Sequence, residues 1–226
     1  MKKLIYILSI TLILLQSCSS GDSDNNTNST IVSDVDGNVY QTVTICNQTW
    51  TKTNLNVTKY RNGDVIPQVQ DATQWASLTT GAWCYYNNDP ANGSIYGKLY
   101  NWHAVKDPRG LAPVGYHIPT DGEWTSLTTC LGGESVAGGK MKEAGTTHWT
   151  SPNTGATNES GFTGLPGGYR NDIGTFYSII SFGYWWSSSE RDATDAYDHN
   201  LDYSEVVADR DNDDKREGYS VRCLKD

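Results

Sequence analysis

The first eighteen residues decide where, and in what redox state, the rest of the chain must fold. Met1, Lys2 and Lys3 make a short positive start, and residues 4–15 form an apolar run broken only by Tyr6, Ser9 and Thr11. That run falls short of the roughly 20 residues a membrane-spanning helix needs, and its flanks are those of a secretory signal segment. It ends at Leu15-Gln16-Ser17-Cys18, with an aliphatic residue three places before the cysteine and a small one directly before it. This is the pattern of a cleavage site whose cysteine accepts lipid. We therefore expect residues 1–17 to be removed and Cys18 to be acylated, and more than one acyl chain makes such an anchor stable. Residues 19–30 (SSGDSDNNTNST) hold no apolar side chain. They cannot bury enough surface to offset their ordering entropy, so 18–30 reads as lipidated cysteine plus flexible tether, with one domain over 31–226.

An exported domain folds where thiols oxidise. With Cys18 taken by lipid, Cys46, Cys84, Cys130 and Cys223 remain, an even number that points to two disulfides in one of three pairings. The formal charge of −9 and pI near 4.8 argue against nucleic acid, which needs a basic footprint. Eleven of the acids fall between Glu190 and Glu217, which reads most simply as a solvated face.

Local signals describe an α+β chain of short strands and long polar loops. The aromatic content is 14 Tyr and 8 Trp against 3 Phe, with 22 Gly. It suits a loop-rich fold whose aromatic tips hydrogen-bond at the surface or at a ligand. Residues 33–45 read as a hairpin arm opened by Asp36-Gly37. A short helix follows Asp71 and stops before Gly81. Residues 82–86 read as a strand, and 96–105 is ambiguous between helix and strand. Thr120 and Glu123 form a capping box ahead of the stripe Trp124, Leu127 and Leu131, and Gly132-Gly133 ends that helix. A weaker helix covers 134–144. Strands are expected at 174–179, 183–188, about 195–203 and 219–223, with two or three helices at most.

Chemistry is thinly marked. His103, His117, His148 and His199 lack zinc spacing, and His117 between Tyr116 and Ile118 reads as a satisfied, half-buried side chain. No nucleophile elbow occurs. Calcium is the one cofactor with candidate ligands, the alternating Asp209, Asp211 and Asp213, although the glycine and spaced glutamate of an EF-hand loop are missing. For ligand binding the notable group is Trp185, Trp186, Tyr184, Tyr169 and Arg170. Adjacent Trp185 and Trp186 on a strand must point to opposite faces, so at most one is exposed.

A series of motifs carries a resemblance: DGNVY (36–40), TKYRNGD (58–64), YGKLYNWHAV (96–105), GYHIPTDGEW (115–124), LGGESVAGGK (131–140), SGFTGLPGGYR (160–170), GYWWSS (183–188) and GYSVRC (218–223). Together they resemble the Fibrobacter succinogenes major paralogous domain (FISUMP) family over nearly the whole domain. That resemblance implies a C-type lectin-like fold, with small twisted antiparallel sheets, two short helices and long loops. It also implies a non-catalytic role in binding or display, contacting glycan, protein or matrix. The alternatives are a glycan-active enzyme or accessory subunit with a carboxylate site, and a structural envelope protein. Related formylglycine-generating enzymes rely on closely spaced cysteines, which this chain lacks. Where the family commonly has a cysteine before the GYHIP motif, Ala112 stands here, while Cys46 and Cys130 stand where others have none. This implies Cys46–Cys130 and Cys84–Cys223, against a lectin-like rival joining Cys130 to Cys223. Asp22 and Asp24 resemble the acidic export signals of Bacteroidetes lipoproteins, which would place the domain on the outer face of the outer membrane.

Overall fold

The computed structural model of the chain describes residues 30–226; the signal segment, Cys18 and the tether up to residue 29 lie outside the described residues. No helix among the described residues is long and apolar enough to cross a membrane. The fold is mixed α+β, with small antiparallel sheets and short helices.

β1 (Ile31–Ser33) and β2 (Val39–Ile45) pair antiparallel as the hairpin the sequence announces. The Asp34 carboxylate accepts the N–H groups of Asp36 and Asn38 at 3.0 Å and the Tyr40 hydroxyl at 2.6 Å. Gly37 turns the chain at φ 85°, a conformation costly for residues with a Cβ. After β3 (Gln48–Thr51) comes α1 (Ala72–Ala76), whose cap Asp71 accepts the Gln74 N–H at 2.8 Å. Next are β4 (Trp83–Cys84), α2 (Pro90–Tyr96), β5 (Leu99–Tyr100) and α3 (Trp102–Val105). The ambiguous stretch 96–105 therefore holds both a strand and a helix, and the switch is Asn101, whose side chain accepts the Ala104 N–H. β6 (Tyr116–His117) leads to α4 (Asp121–Cys130), where the reciprocal Thr120–Glu123 box is formed and Trp124, Leu127 and Leu131 are buried. α5 (Glu134–Met141) follows. The remainder is β7 (Tyr169–Arg170), β8 (Phe176–Tyr177), β9 (Phe182–Glu190), β10 (Asp195–Asp202), β11 (Ala208–Asp214) and β12 (Leu224–Lys225).

Strands run β1-β2-β3-β12-β6 in the larger sheet and β11-β10-β9 in the second, with β4-β5 and β7-β8 as two-stranded pairs. The last strand of the chain thus lies inside the larger sheet. Three expectations need correcting. Helices exceed the two or three expected, because Asp89 and Asn101 each cap a further helix of seven residues or fewer. Residues 219–223 are no regular strand, making only isolated bridges from Tyr219 to Tyr100 and from Ser220 to Trp185. β11 was not anticipated.

β9 divides the interior. Trp186 belongs to a core with Tyr40, Tyr100, Trp102 and Tyr219, while Trp185 faces a second with Trp50, Trp124, Trp149 and Phe162. All eight tryptophans are buried. Six donate inward: Trp75 to Arg216 O, Trp83 to Ile66 O, Trp102 to Ser187 O, Trp149 to Gly164 O, Trp185 to Asn54 Oδ1 and Trp186 to Tyr100 O. In a loop-rich chain many backbone carbonyls have no sheet partner, and a buried carbonyl without a donor is expensive. These six indoles supply the donors while their rings fill the core, so their polar tips bond to the interior. Arg222 does the same work, fully buried and donating to Asn54 Oδ1 and to the carbonyls of Thr51, Phe162 and Thr163.

Cys46 and Cys130 are bonded, joining the β2–β3 turn to the end of α4, with Cα atoms 6.7 Å apart. Cys84 and Cys223 are free, buried thiols. The expectation of two bridges is thus corrected to one, and the Cys130–Cys223 pairing is excluded because Cys130 is already engaged. Cys84 and Cys223 sit in different hydrophobic clusters.

Candidate functional site

The pairing register of the second sheet sorts its side chains by chemistry. Asp198 lies opposite Trp186 on one side and Asp211 on the other; Asn200 lies between Tyr184 and Asp209. Phe182 opposes Asp202, and Ala196 opposes Asp213. Paired residues share a face, so one face carries Phe182, Tyr184 and Trp186 together with Asp198, Asn200, Asp202, Asp209, Asp211 and Asp213. The other face carries Trp185, His199 and Arg210 and packs on α4: the Arg210 guanidinium forks onto Asp121 at 2.7 and 2.8 Å, and His199 stacks on Trp124 at 4.9 Å.

Aromatic rings continue the first face outward. Trp186 contacts Tyr219 at 4.5 Å between centroids, Tyr219 stacks on Tyr184 at 5.0 Å, and Tyr184 meets Tyr169 at 4.9 Å. Tyr169 then meets Tyr177 at 5.7 Å. Along this run burial falls from complete at Trp186 to 44% exposure at Tyr177, with Tyr184 and Tyr169 half-buried.

Acids sit against the inner end. Asp198 is fully buried, and neither of its carboxylate oxygens meets a donor among the described residues. Burial pushes its carboxyl well above the usual range, and the like charges of Asp213, Asp211 and Glu217 push it further. Asp213 accepts the Tyr219 hydroxyl at 2.6 Å; burial raises it as well, partly offset by that bond. Glu217 accepts the Asp172 N–H at 3.2 Å through Oε1, while Oε2 is buried without a partner. Burial, then the charge of Asp213, pushes Glu217 up to about 8. A carboxyl so placed holds its proton at neutral pH.

The residues singled out from sequence fare differently. Trp185 and Trp186 do point to opposite faces, but both are buried, because β9 is covered on both sides; neither offers a ring to a solute. Arg170 is also buried, donating to the carbonyls of Gly174, Val69 and Gln70 and stacking 4.4 Å from Trp75. Tyr169 and Tyr184 remain on the candidate face. Asp209, Asp211 and Asp213 are brought to that same face, but on one strand, where alternate residues stand about 6.7 Å apart and do not converge. Among the described residues no three His, Cys, Asp or Glu side chains are placed to share a metal ion. Asp198, Glu217 and Tyr219 are the additions. The late acids looked like a solvated face, and only cross-strand register reveals which of them are enclosed. His117 is half-buried and satisfied, between Asp226 at 2.8 Å and Glu123 at 3.0 Å.

A separate cleft of about 370 Å³ is lined by Ser77, His103, Asp214, Lys215 and Arg216. Its cations are committed within the chain, Lys215 to Glu190 and to the carbonyls of Asp192 and Ala193, Arg216 to Asp214 and Asp172. It has less to offer a ligand than the tyrosine–acid face. Compared with known families, residues 43–225 match the model described as the Fibrobacter succinogenes major domain. Comparison with curated proteins finds no match, and comparison with solved structures finds none.

Proposed function

The chain belongs to the Fibrobacter succinogenes major domain family, and we propose that it works as a non-catalytic binding module contacting glycan, protein or matrix at the bacterial surface. The observation that carries this reading is the run of tyrosines emerging beside carboxylates. Tyr169 and Tyr184, half-buried and held edge to face, are rigid, present an apolar surface with a polar tip, and suit a sugar ring or a polypeptide side chain equally. Carboxylates at their edge supply hydrogen-bond acceptors. Small antiparallel sheets with long loops, and β1 and β12 lying in one sheet, agree with a C-type lectin-like architecture. The lipidated Cys18 and its tether would hold the domain at the outer membrane, facing outward.

A glycan array probed with purified Cys18→Ala protein, with calcium and with chelator, tests the reading. Retention that falls at least tenfold in Tyr184→Ala supports it; equal retention by Tyr184→Ala moves the site elsewhere. Palmitate-analogue labelling of wild type but not Cys18→Ala tests the anchor, and labelling of both refutes it. A second reading draws on Glu217: a carboxyl protonated at neutral pH next to ionisable Asp213 is the equipment of a glycan hydrolase. Polysaccharide turnover that disappears in Glu217→Gln would favour that enzyme.

A further inference from the structure

β11 is an edge strand: its order in the sheet is β11-β10-β9, and only β10 pairs with it. Among the described residues no backbone hydrogen bond from any other element reaches residues 209–213. Its side chains on the tyrosine face are all acidic. Asp209 and Asp211 are exposed and Asp213 is half-buried. An open edge is a template for another strand, and charge decides which strand it accepts. A second copy of β11 would set acid against acid, which is unfavourable across a strand pair.

The charge on this face is also left uncancelled from within. Asp198, directly opposite Asp211, is buried with both oxygens lacking a donor, and burial favours its neutral form, so it gives the exposed Asp209 and Asp211 no counter-charge. The cations nearest in the chain are turned elsewhere: Arg210 to Asp121 on the opposite face, Arg216 to Asp214 and Asp172, Lys215 to Glu190, Arg191 to Asp195 and Asn212. The remaining titratable groups around Asp213 are Asp195, Glu217, Tyr169, Tyr184 and Tyr219, none of which supplies positive charge.

Resting on the binding-module reading, we propose that the β11 edge docks an extended basic polypeptide segment carrying Lys or Arg at alternate positions. Spacing selects this partner. Alternate side chains of an extended chain repeat at about 6.7 Å, the same interval as Asp209, Asp211 and Asp213. Added as a neighbouring strand, such a segment sets one cation against each carboxylate. Consecutive lysines carry the same charge but send every second one to the wrong face.

The test uses the purified full-length chain bearing Cys18→Ala and fluorescein-labelled peptides. One alternates lysine and threonine, one carries the same residues with the lysines consecutive, and one replaces lysine by glutamate. Anisotropy should show the alternating peptide binding at least about tenfold more tightly than the clustered one, with the glutamate peptide unbound. Asp209→Asn and Asp211→Asn should each weaken it by up to about fivefold, the size of one cross-strand charge pair. Asp64→Asn combined with Glu159→Gln removes two exposed charges elsewhere and should leave binding unchanged. Amide exchange at 209–213 should slow in the complex. Equal binding of the clustered peptide, equal losses in the control variant, or no binding of the alternating peptide overturns the proposal. If glycan is retained in a Tyr184-dependent way while no peptide binds, this inference falls and the binding-module reading stands. If neither is retained, both fall.

Discussion

Glu217→Gln isolates the energetic cost of the enclosed acids. Glu217 is 9% exposed, and burial with the neighbouring Asp213 charge moves its carboxyl from an ordinary 4.5 to about 8. A carboxyl raised on folding contributes stability that is complete below its unfolded value and is lost as pH climbs through its folded one. The window is therefore pH 4.5 to about 8. At 1.36 kcal/mol per pH unit, full expression approaches about 5 kcal/mol, and relaxation of a group near the surface brings the expected loss to about 3–5 kcal/mol. Glutamine has nearly the same shape and no charge to lose. Urea unfolding of both proteins at each pH from 4 to 9 should give equal stabilities near pH 4. Across the window Glu217→Gln should become more stable than wild type by about 3–5 kcal/mol and level off beyond it. All other acids are common to both proteins and largely cancel in the difference. A stability difference that stays constant from pH 4 to 9 would show that Glu217 ionises as freely in the fold as in the unfolded chain, and the enclosure argument would be wrong.

Removing the single bridge with Cys46→Ala and Cys130→Ala opens a loop spanning 84 residues and should cost about 3–4.5 kcal/mol by chain-entropy reasoning. Mass spectrometry of the native protein should find one disulfide, with Cys84 and Cys223 alkylated only after denaturation. Gly138→Ala places a Cβ 2.0 Å from the Val207 carbonyl oxygen where α5 meets the approach to β11, and should cost more than about 2 kcal/mol in a denaturant melt. Gly122→Ala, in α4 with nothing within 4 Å, should instead stabilise by about 0.4–1 kcal/mol. Arg222→Met strips four inward hydrogen bonds from Asn54, Thr51, Phe162 and Thr163 and should lower stability by about 3–5 kcal/mol, read as a shifted unfolding midpoint at unchanged slope.

What was legible in the sequence was whatever local chemistry determines. The Thr120–Glu123 box, the buried stripe of α4 and the Asp36-Gly37 turn all act within a few residues, and each is found in the fold. β11 was not legible because its run Ala-Asp-Arg-Asp-Asn-Asp-Asp has polar residues on both faces: one face carries Asp209, Asp211 and Asp213 and the other an Arg210–Asp121 pair. The paired tryptophans misled for the opposite reason. Alternation put them on opposite faces correctly, but only the tertiary arrangement shows that both faces of β9 are covered. Residues 219–223 have strand-like composition, yet Arg222 satisfies carbonyls that a ladder would otherwise have to serve. The candidate site could be read only in fragments, since Tyr169, Tyr184, Asp198 and Glu217 come together across four separate segments.

The position of β12 between β3 and β6 has a consequence in time. A chain emerging amino end first, from a ribosome or through any pore, releases β1, β2 and β3 early and can form that three-stranded piece at once. β6 cannot join it, because the strand that bridges them, Leu224–Lys225, emerges only after β6 through β11. Until then Trp50 lacks its cross-strand neighbour Leu224, and the second core stays open on one side. The larger sheet is thus obliged to remain incomplete until β12 has emerged, long after its first three strands have paired.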